Sequence, residues 1–242
     1  MKMNLKNLLV ILTIFFLYSM YADALEYCGR EWMVNAGGKV IPEESISEQV
    51  TISESKILFK NTGKRCIMSH KKPVTVPNMI SLEVQGDGIT INSGRINVNI
   101  LPHWGEVDLS VVRIHHSTDS AASPSQLIGG NMIYRKGIPL KVEITNFIDH
   151  SSVTVREKTS GKILHNIPCI TLPKGMETLF NITVTKTAEQ QEAEIANLNI
   201  EENIPDQTVD RSHPDVPEGY ELLFTDHFTG ASDKWGRKEI SI

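Results

Sequence analysis

Between residues 49 and 184 the apolar positions come in short bursts separated by turn residues. The clearest burst is Arg95-Ile96-Asn97-Val98-Asn99-Ile100, where polar and apolar residues alternate strictly. A period of two places Ile96, Val98 and Ile100 on one face of a strand. Ile89-Thr90-Ile91 precedes it across the turn Asn92-Ser93-Gly94, so the pair predicts a hairpin. Alternation recurs over 106–114, with Val107, Leu109 and Val111 expected on one side. It recurs over 139–147, with Leu140, Val142 and Ile144 opposed to Lys141, Glu143 and Thr145. Shorter strand-like stretches lie at 50–52, 56–60, 79–84, 152–156, 162–167 and 178–184. Gly86-Asp87-Gly88, Gly129-Gly130, Gly137, Ser160-Gly161 and Pro173-Lys174-Gly175 supply turns, and Ser117–Ser125 reads as a polar surface loop. Many short strands at this spacing predict an all-β fold, an antiparallel β-sandwich over residues 25–185.

The two ends of the chain have a different character. Lys2 and Lys6 precede a run from Leu8 to Met20 that is almost wholly apolar, and Ala22-Asp23-Ala24 follows. A basic start, a short apolar run and a small-x-small site read as a secretory signal peptide over residues 1–24, with an uncleaved N-terminal anchor as the rival reading. The run is short for a bilayer span, so the expected product is secreted, extracellular and not membrane-spanning after cleavage. Composition changes again near Thr185. Residues 187–218 hold nine acidic side chains and one basic one, Arg211, a local charge of −9 + 1 = −8. Ala188–Leu198 contains good helix formers without a clean apolar stripe, and reads as a short helix or as disordered acidic chain. Residues 186–217 are therefore expected to be an acidic linker, and 218–242 the stub of a further domain.

The net charge of −5 is modest and no basic patch or phosphate-binding glycine loop stands out, which argues against nucleic acid as a partner. Lys60, Lys64, Arg65, His70, Lys71 and Lys72 cluster around Cys66; the cluster could meet an anionic surface, such as a bacterial lipid or an acidic glycan, and otherwise reads as a solvated loop. An exported chain with Cys28, Cys66 and Cys169 is expected to form a disulfide, and Cys28 with Cys66 is the expected pair. Cys169 is then left over, buried or available to a protein partner. No two cysteines have zinc-ligand spacing, so no metal and no cofactor are expected. Asn181-Ile182-Thr183 is a glycosylation sequon, which export would make usable at Asn181.

Near the C-terminus, Leu223-Phe224-Thr225-Asp226-His227-Phe228, then Asp233-Lys234-Trp235 and Lys238-Glu239-Ile240, resemble the opening strand of a family-16 glycoside hydrolase domain. The version that 220–240 resembles most is that of the invertebrate β-1,3-glucan-binding proteins, also called Gram-negative-bacteria-binding proteins. Members are secreted proteins of innate immunity, with an N-terminal β-sandwich, a linker and a glucanase-like jelly roll. The resemblance thus implies carbohydrate binding, with β-1,3-glucan or a microbial surface polysaccharide as partner. The family's Glu-x-Asp-x-x-Glu catalytic pattern does not occur in this sequence, so no catalytic residue is carried over. Nor does 25–185 match the family's usual N-terminal module. On this reading the chain resembles a partial member.

Carbohydrate binding directs attention to tryptophan, whose face stacks on the C–H side of a sugar ring. Trp104 lies in the turn Leu101-Pro102-His103-Trp104-Gly105, and Trp104, His103 and Trp32 are the candidate ligand-binding residues. The competing and favoured reading of each tryptophan is a core role at a strand end, and Trp235 would pack on its own strand. His115-His116 on a strand point to opposite faces and cannot share one ion. Asp149-His150-Ser151 are adjacent, which is no basis for a catalytic triad. Two other functions suit the same sequence: an extracellular adhesion or structural module with a protein partner, and the front part of a secreted glycoside hydrolase.

Overall fold

The computed structural model describes residues 25–60, 63–117, 125–171, 178–185 and 192–207. Among these, nine strands form one sheet. Its spatial order is β1 (Leu25–Tyr27), β2 (Arg30–Ala36), β6 (Arg65–His70), β15 (Phe180–Thr185), β8 (Ile89–Ser93), β9 (Ile96–Pro102), β10 (Leu109–Ser117) and β11 (Ser125–Arg135), with β3 (Lys39–Val40) paired to β2. Seven strands form the other sheet, in the order β14 (Ile163–Thr171), β13 (His150–Glu157), β12 (Leu140–Asn146), β7 (Asn78–Gln85), β16 (Ala193–Glu202), β5 (Lys56–Phe59) and β4 (Val50–Ile52). Every one of these pairings is antiparallel. One short helix, α1 (Glu43–Gln49), connects β3 to β4. The protein is thus an all-β antiparallel sandwich.

Alternation explains how the sheets meet. Ile89 and Ile91 of β8, Ile96, Val98 and Ile100 of β9, and Phe180 and Ile182 of β15 face inward from the larger sheet. They share one core with Ile80, Leu82 and Val84 of β7 and Leu140, Val142 and Ile144 of β12. Burying each such side chain contributes roughly 1.5–3 kcal/mol. The expected β8–β9 hairpin forms, but its turn is tighter than expected: Asn92 and Ser93 still pair, opposite Asn97 and Ile96, so the chain turns at Gly94 and Arg95.

A polar joint also crosses the layers. The Asn146 amide nitrogen donates to Asn78 Oδ1 at 2.8 Å and to Ser93 Oγ at 2.9 Å, and Ser151 Oγ donates to Asn146 Oδ1 at 2.7 Å. All four side chains are buried, and Ser93 comes from the opposite sheet. At the rim, Arg30 of the larger sheet meets Glu202 of the smaller at 2.6 Å and donates to the Ile200 carbonyl. Burial raises the Glu202 pKa, but Arg30 and Thr75 outweigh it and hold the carboxyl below its usual range.

Four expectations change. The first is the start of the linker: 193–202, expected within it, is β16, an interior strand between β7 and β5. The unit that holds the sandwich runs to Thr208. A bulge between Ala196 and Asn199, with Asn197 at φ 51°, reverses the inward phase from Ala193 and Ile195 to Ala196 and Leu198. That break hides the alternation in the sequence.

The second is the phase of β10. Val112 and Ile114 face the core, Val107 lies in the preceding loop, and Val111 is buried outside the core cluster. The third is the turn at Gly129-Gly130, which is a kink inside the long edge strand β11, with the register shifting opposite Arg113 and Ile114.

The fourth is the Cys28–Cys66 disulfide. Both thiols are free. Cys66 pairs in register with Ala36, at the far end of β2 from the turn that holds Cys28. Some six strand residues separate the two positions, about 20 Å at the rise of a β-strand, whereas a disulfide needs Cα atoms within about 7 Å. The Cys169 backbone lies on β14, and its side chain is outside the described set. The signal segment 1–24, most of the loop after Ser117 and the stub 218–242 with Trp235 also lie outside the described residues.

Candidate functional site

The inward alternation of the larger sheet leaves the opposite residues on its outer face. Across its centre these are Asn181 and Thr183 of β15, Thr90 and Asn92 of β8, Asn97 and Asn99 of β9, and Arg113 and His115 of β10. Strand register aligns them in two rows. Asn181, Asn92, Asn97 and His115 are neighbours in one row, and Thr183, Thr90, Asn99 and Arg113 in the next. β11 extends the rows with Leu127 and Asn131. Side chains bond along the rows: Asn92 donates to Asn181 Oδ1 at 2.6 Å, and Thr90 Oγ1 to Asn99 Oδ1 at 2.9 Å. Asn97 donates to Ser117 Oγ at 3.0 Å.

No carboxylate stands among these outward positions, and Arg113 is their permanent cation. Arg113 Nε is buried without a hydrogen-bond partner, while the residue as a whole is half-buried. Burial first, and then the neighbouring Arg113 charge, lower the His115 pKa, so the imidazole is neutral near pH 7. The arrangement offers amide and hydroxyl groups, which both donate and accept, around one guanidinium fork.

At one end of this face the β9–β10 connection projects beyond the sheet. Gly105, at φ 90°, turns the chain there, a conformation that glycine adopts without steric cost. The backbone N–H of His103 donates to the Leu109 carbonyl at 3.1 Å and closes the base of the loop. Trp104 is 99 % exposed and Val107 86 %, while His103 is half-buried with Nδ1 unpaired. Trp104 is therefore no part of the core. Trp32 is the reverse case. It is fully buried on β2, its Nε1 donates to the Tyr27 carbonyl at 3.0 Å, and its ring meets Phe180 edge-on. Its place in the ligand-binding set is withdrawn, because a ring inside the sandwich offers no face to a sugar.

The remaining sequence candidates are dispersed. Asn181 of the sequon lies mid-sheet on the outer face rather than on a loop. Three of the basic residues near Cys66 have partners. Lys71 pairs with Glu31 at 3.3 Å, Lys60 donates to the Ser47 carbonyl at 2.6 Å, and His70 Nδ1 contacts the Lys72 carbonyl. A hollow of about 200 Å³ beside them is lined by Arg30, Glu31, His70, Lys71 and Lys72. A second, of about 230 Å³, lies over β7 and β16 and is occupied by the Lys56–Glu194 and Lys158–Glu83 pairs. His150 stacks on Phe147 and pairs with Asp149, while Ser151 is committed to Asn146. Among the described residues no three His, Cys, Asp or Glu side chains form a metal-binding group, and no helix is long and apolar enough to cross a membrane.

No protein-family model matches the sequence, and no curated protein matches it. Among solved structures, the VIP36 exoplasmic/lumenal domain in its Ca²⁺/Man3GlcNAc-bound form shares 10% identity, covering 74% of this chain and 86% of that one, with a TM-score of 0.47. An alginate lyase from Klebsiella pneumoniae shares 10% identity over 71% of this chain and 95% of that one, with a TM-score of 0.48. A legume lectin-like domain from Entamoeba histolytica shares 13% identity over 70% and 90%, with a TM-score of 0.44. Likenesses this low assign no ligand, reaction or residue role to the present chain.

Proposed function

We propose that this is a secreted, non-catalytic carbohydrate-binding protein whose ligand is β-1,3-glucan or another microbial surface polysaccharide. The observation that carries the reading is Trp104, a fully presented indole on a loop closed at its base, at the end of a sheet face rich in amides and hydroxyls. An indole held in water stays unsatisfied until an apolar surface covers it, and the C–H face of a pyranose fits. The amide rows supply the paired donors and acceptors that sugar hydroxyls need. The signal-like N-terminus and the glucanase-like terminal segment support export and glucan as the ligand. The absence of carboxylates among the central outward positions supports a non-hydrolytic role, since glycoside hydrolysis takes two carboxyl groups flanking the scissile bond.

The test is a pull-down with insoluble β-1,3-glucan. The native protein is expected to sediment with the polymer, and Trp104→Ala to lose about tenfold in affinity, as for removal of a stacking aromatic. Native protein that stays in the supernatant would refute the glucan assignment.

A protein-partner reading rests on the edge strand β11. It is eleven residues long, pairs on one side only among the described residues, and exposes Leu127 and Ile133. Such an edge can accept another strand.

A further inference from the structure

A neutral β-1,3-glucan and an acidic microbial surface polysaccharide differ in charge, and the outer face of the larger sheet bears on that difference. Arg113 stands in the row Thr183–Thr90–Asn99–Arg113–Asn131, with His115 and Asn97 in the row beside it. Surface arginines on sheets are commonly matched across the strands by Glu or Asp, as Arg156 is matched by Glu143 on the other sheet. Arg113 has no such match. Its register neighbours are Asn99 and Asn131, and no carboxylate lies within ion-pair distance among the described residues. A guanidinium whose Nε is shielded from water, with no anion among the described residues to receive it, is a donor fork open to one. Neutral amides on both sides match sugar hydroxyls, while the cation has no counterpart in a neutral glucan.

We propose that the outer face of the larger sheet, centred on Arg113, binds an acidic saccharide, with the guanidinium receiving an anionic oxygen group and the flanking asparagines receiving ring hydroxyls. This rests on the carbohydrate reading and deepens it. The shared chemistry is a sugar-borne carboxylate or sulfate, either of which accepts two parallel N–H bonds from arginine. His115 stays neutral beside Arg113 and adds a further hydrogen-bonding group without a second charge. Trp104, on the loop at the end of the same face, extends the path by stacking on a neighbouring unit.

The experiment is calorimetric titration of the full chain with three hexasaccharides: a polyuronate, a sulfated oligosaccharide and a neutral β-1,3-glucan. At low salt, at least one acidic ligand is expected to bind about tenfold or more tightly than the neutral one. Arg113→Gln is expected to remove that preference, at the scale of a lost charge-assisted hydrogen bond. Arg113→Lys keeps the charge without the fork. It should keep part of the preference, and it guards against a folding artefact in the first variant. The polyuronate and sulfated arms decide which anion is taken. Equal affinity for neutral and acidic ligands, or an unchanged preference in Arg113→Gln, overturns the inference while leaving carbohydrate binding in place. Failure of all three ligands to bind overturns both.

Discussion

Asn146 shows what a single buried side chain can be required to do. Its amide satisfies Asn78, Ser93 and Ser151 at once, in a region otherwise packed with Ile, Val and Leu. Asn146→Leu removes one polar group but orphans three others. The expected loss is about 3 kcal/mol, the cost of unpaired buried polar groups, read from a urea unfolding curve. His165 acts by a different route. It is buried on β14, and its Nε2 contacts the Val112 carbonyl of the opposite sheet at 3.2 Å, so Nε2 carries the proton. Burial outweighs that bond and lowers its pKa. The unfolded chain therefore takes up a proton before the folded one does. Stability is expected to be flat above the ordinary imidazole range and to fall as pH drops through about 6.5. Part of this slope should vanish in His165→Gln, measured as unfolding midpoints across that range. Gly129 lies close by: a Cβ there would stand 3.0 Å from His165 Nδ1 at a φ of +75°, which explains glycine at the kink.

At the scale of elements, β16 matters most. It enters the smaller sheet between β7 and β5, so among the described residues β4 and β5 join the rest of that sheet through it. A chain ending at Thr185 should therefore lose cooperative unfolding, whereas one ending at Thr208 should keep it, as followed by circular dichroism during thermal melting. Equal melting of both truncations would contradict the assignment of β16 as an interior strand. Strands with an unbroken period were legible in advance: β8, β9 and β12 carry their apolar residues on the expected face. β6 was not, because its inward residues, Cys66 and Met68, are flanked by Lys64, Arg65, Lys71 and Lys72, and the basic cluster reads as a loop. β2 was hidden for a related reason. Trp32 and Val34 alternate with Glu31, Met33 and Asn35 over too short a run to stand out.

The sandwich is held by one shared core with a polar clasp between Arg30 and Glu202 at its rim, and no cross-link between Cys28 and Cys66 forms. Burial raises the Cys66 pKa to about 11, which keeps it a thiol, while Cys28 is exposed. Thiol labelling of the native protein is expected to modify Cys28 within minutes and to leave Cys66 untouched until denaturant is added. Protection of both sites, reversed by reductant alone, would instead indicate a disulfide.

What the sequence determined by itself was the class of fold. Period-two alternation broken by glycine-rich turns allows little but an antiparallel sandwich, because the pattern is local and needs no knowledge of partners. Tertiary structure decided the rest. It sent Trp32 inward and Trp104 outward, because burial depends on which strands lie opposite. It placed 193–202 between two strands far away in sequence, where a bulge had erased the local signal. It also gathered Asn92, Asn97, Asn99 and Arg113 into rows on one face. Strand register alone sets which outward residues become neighbours, and no spacing along the chain records that.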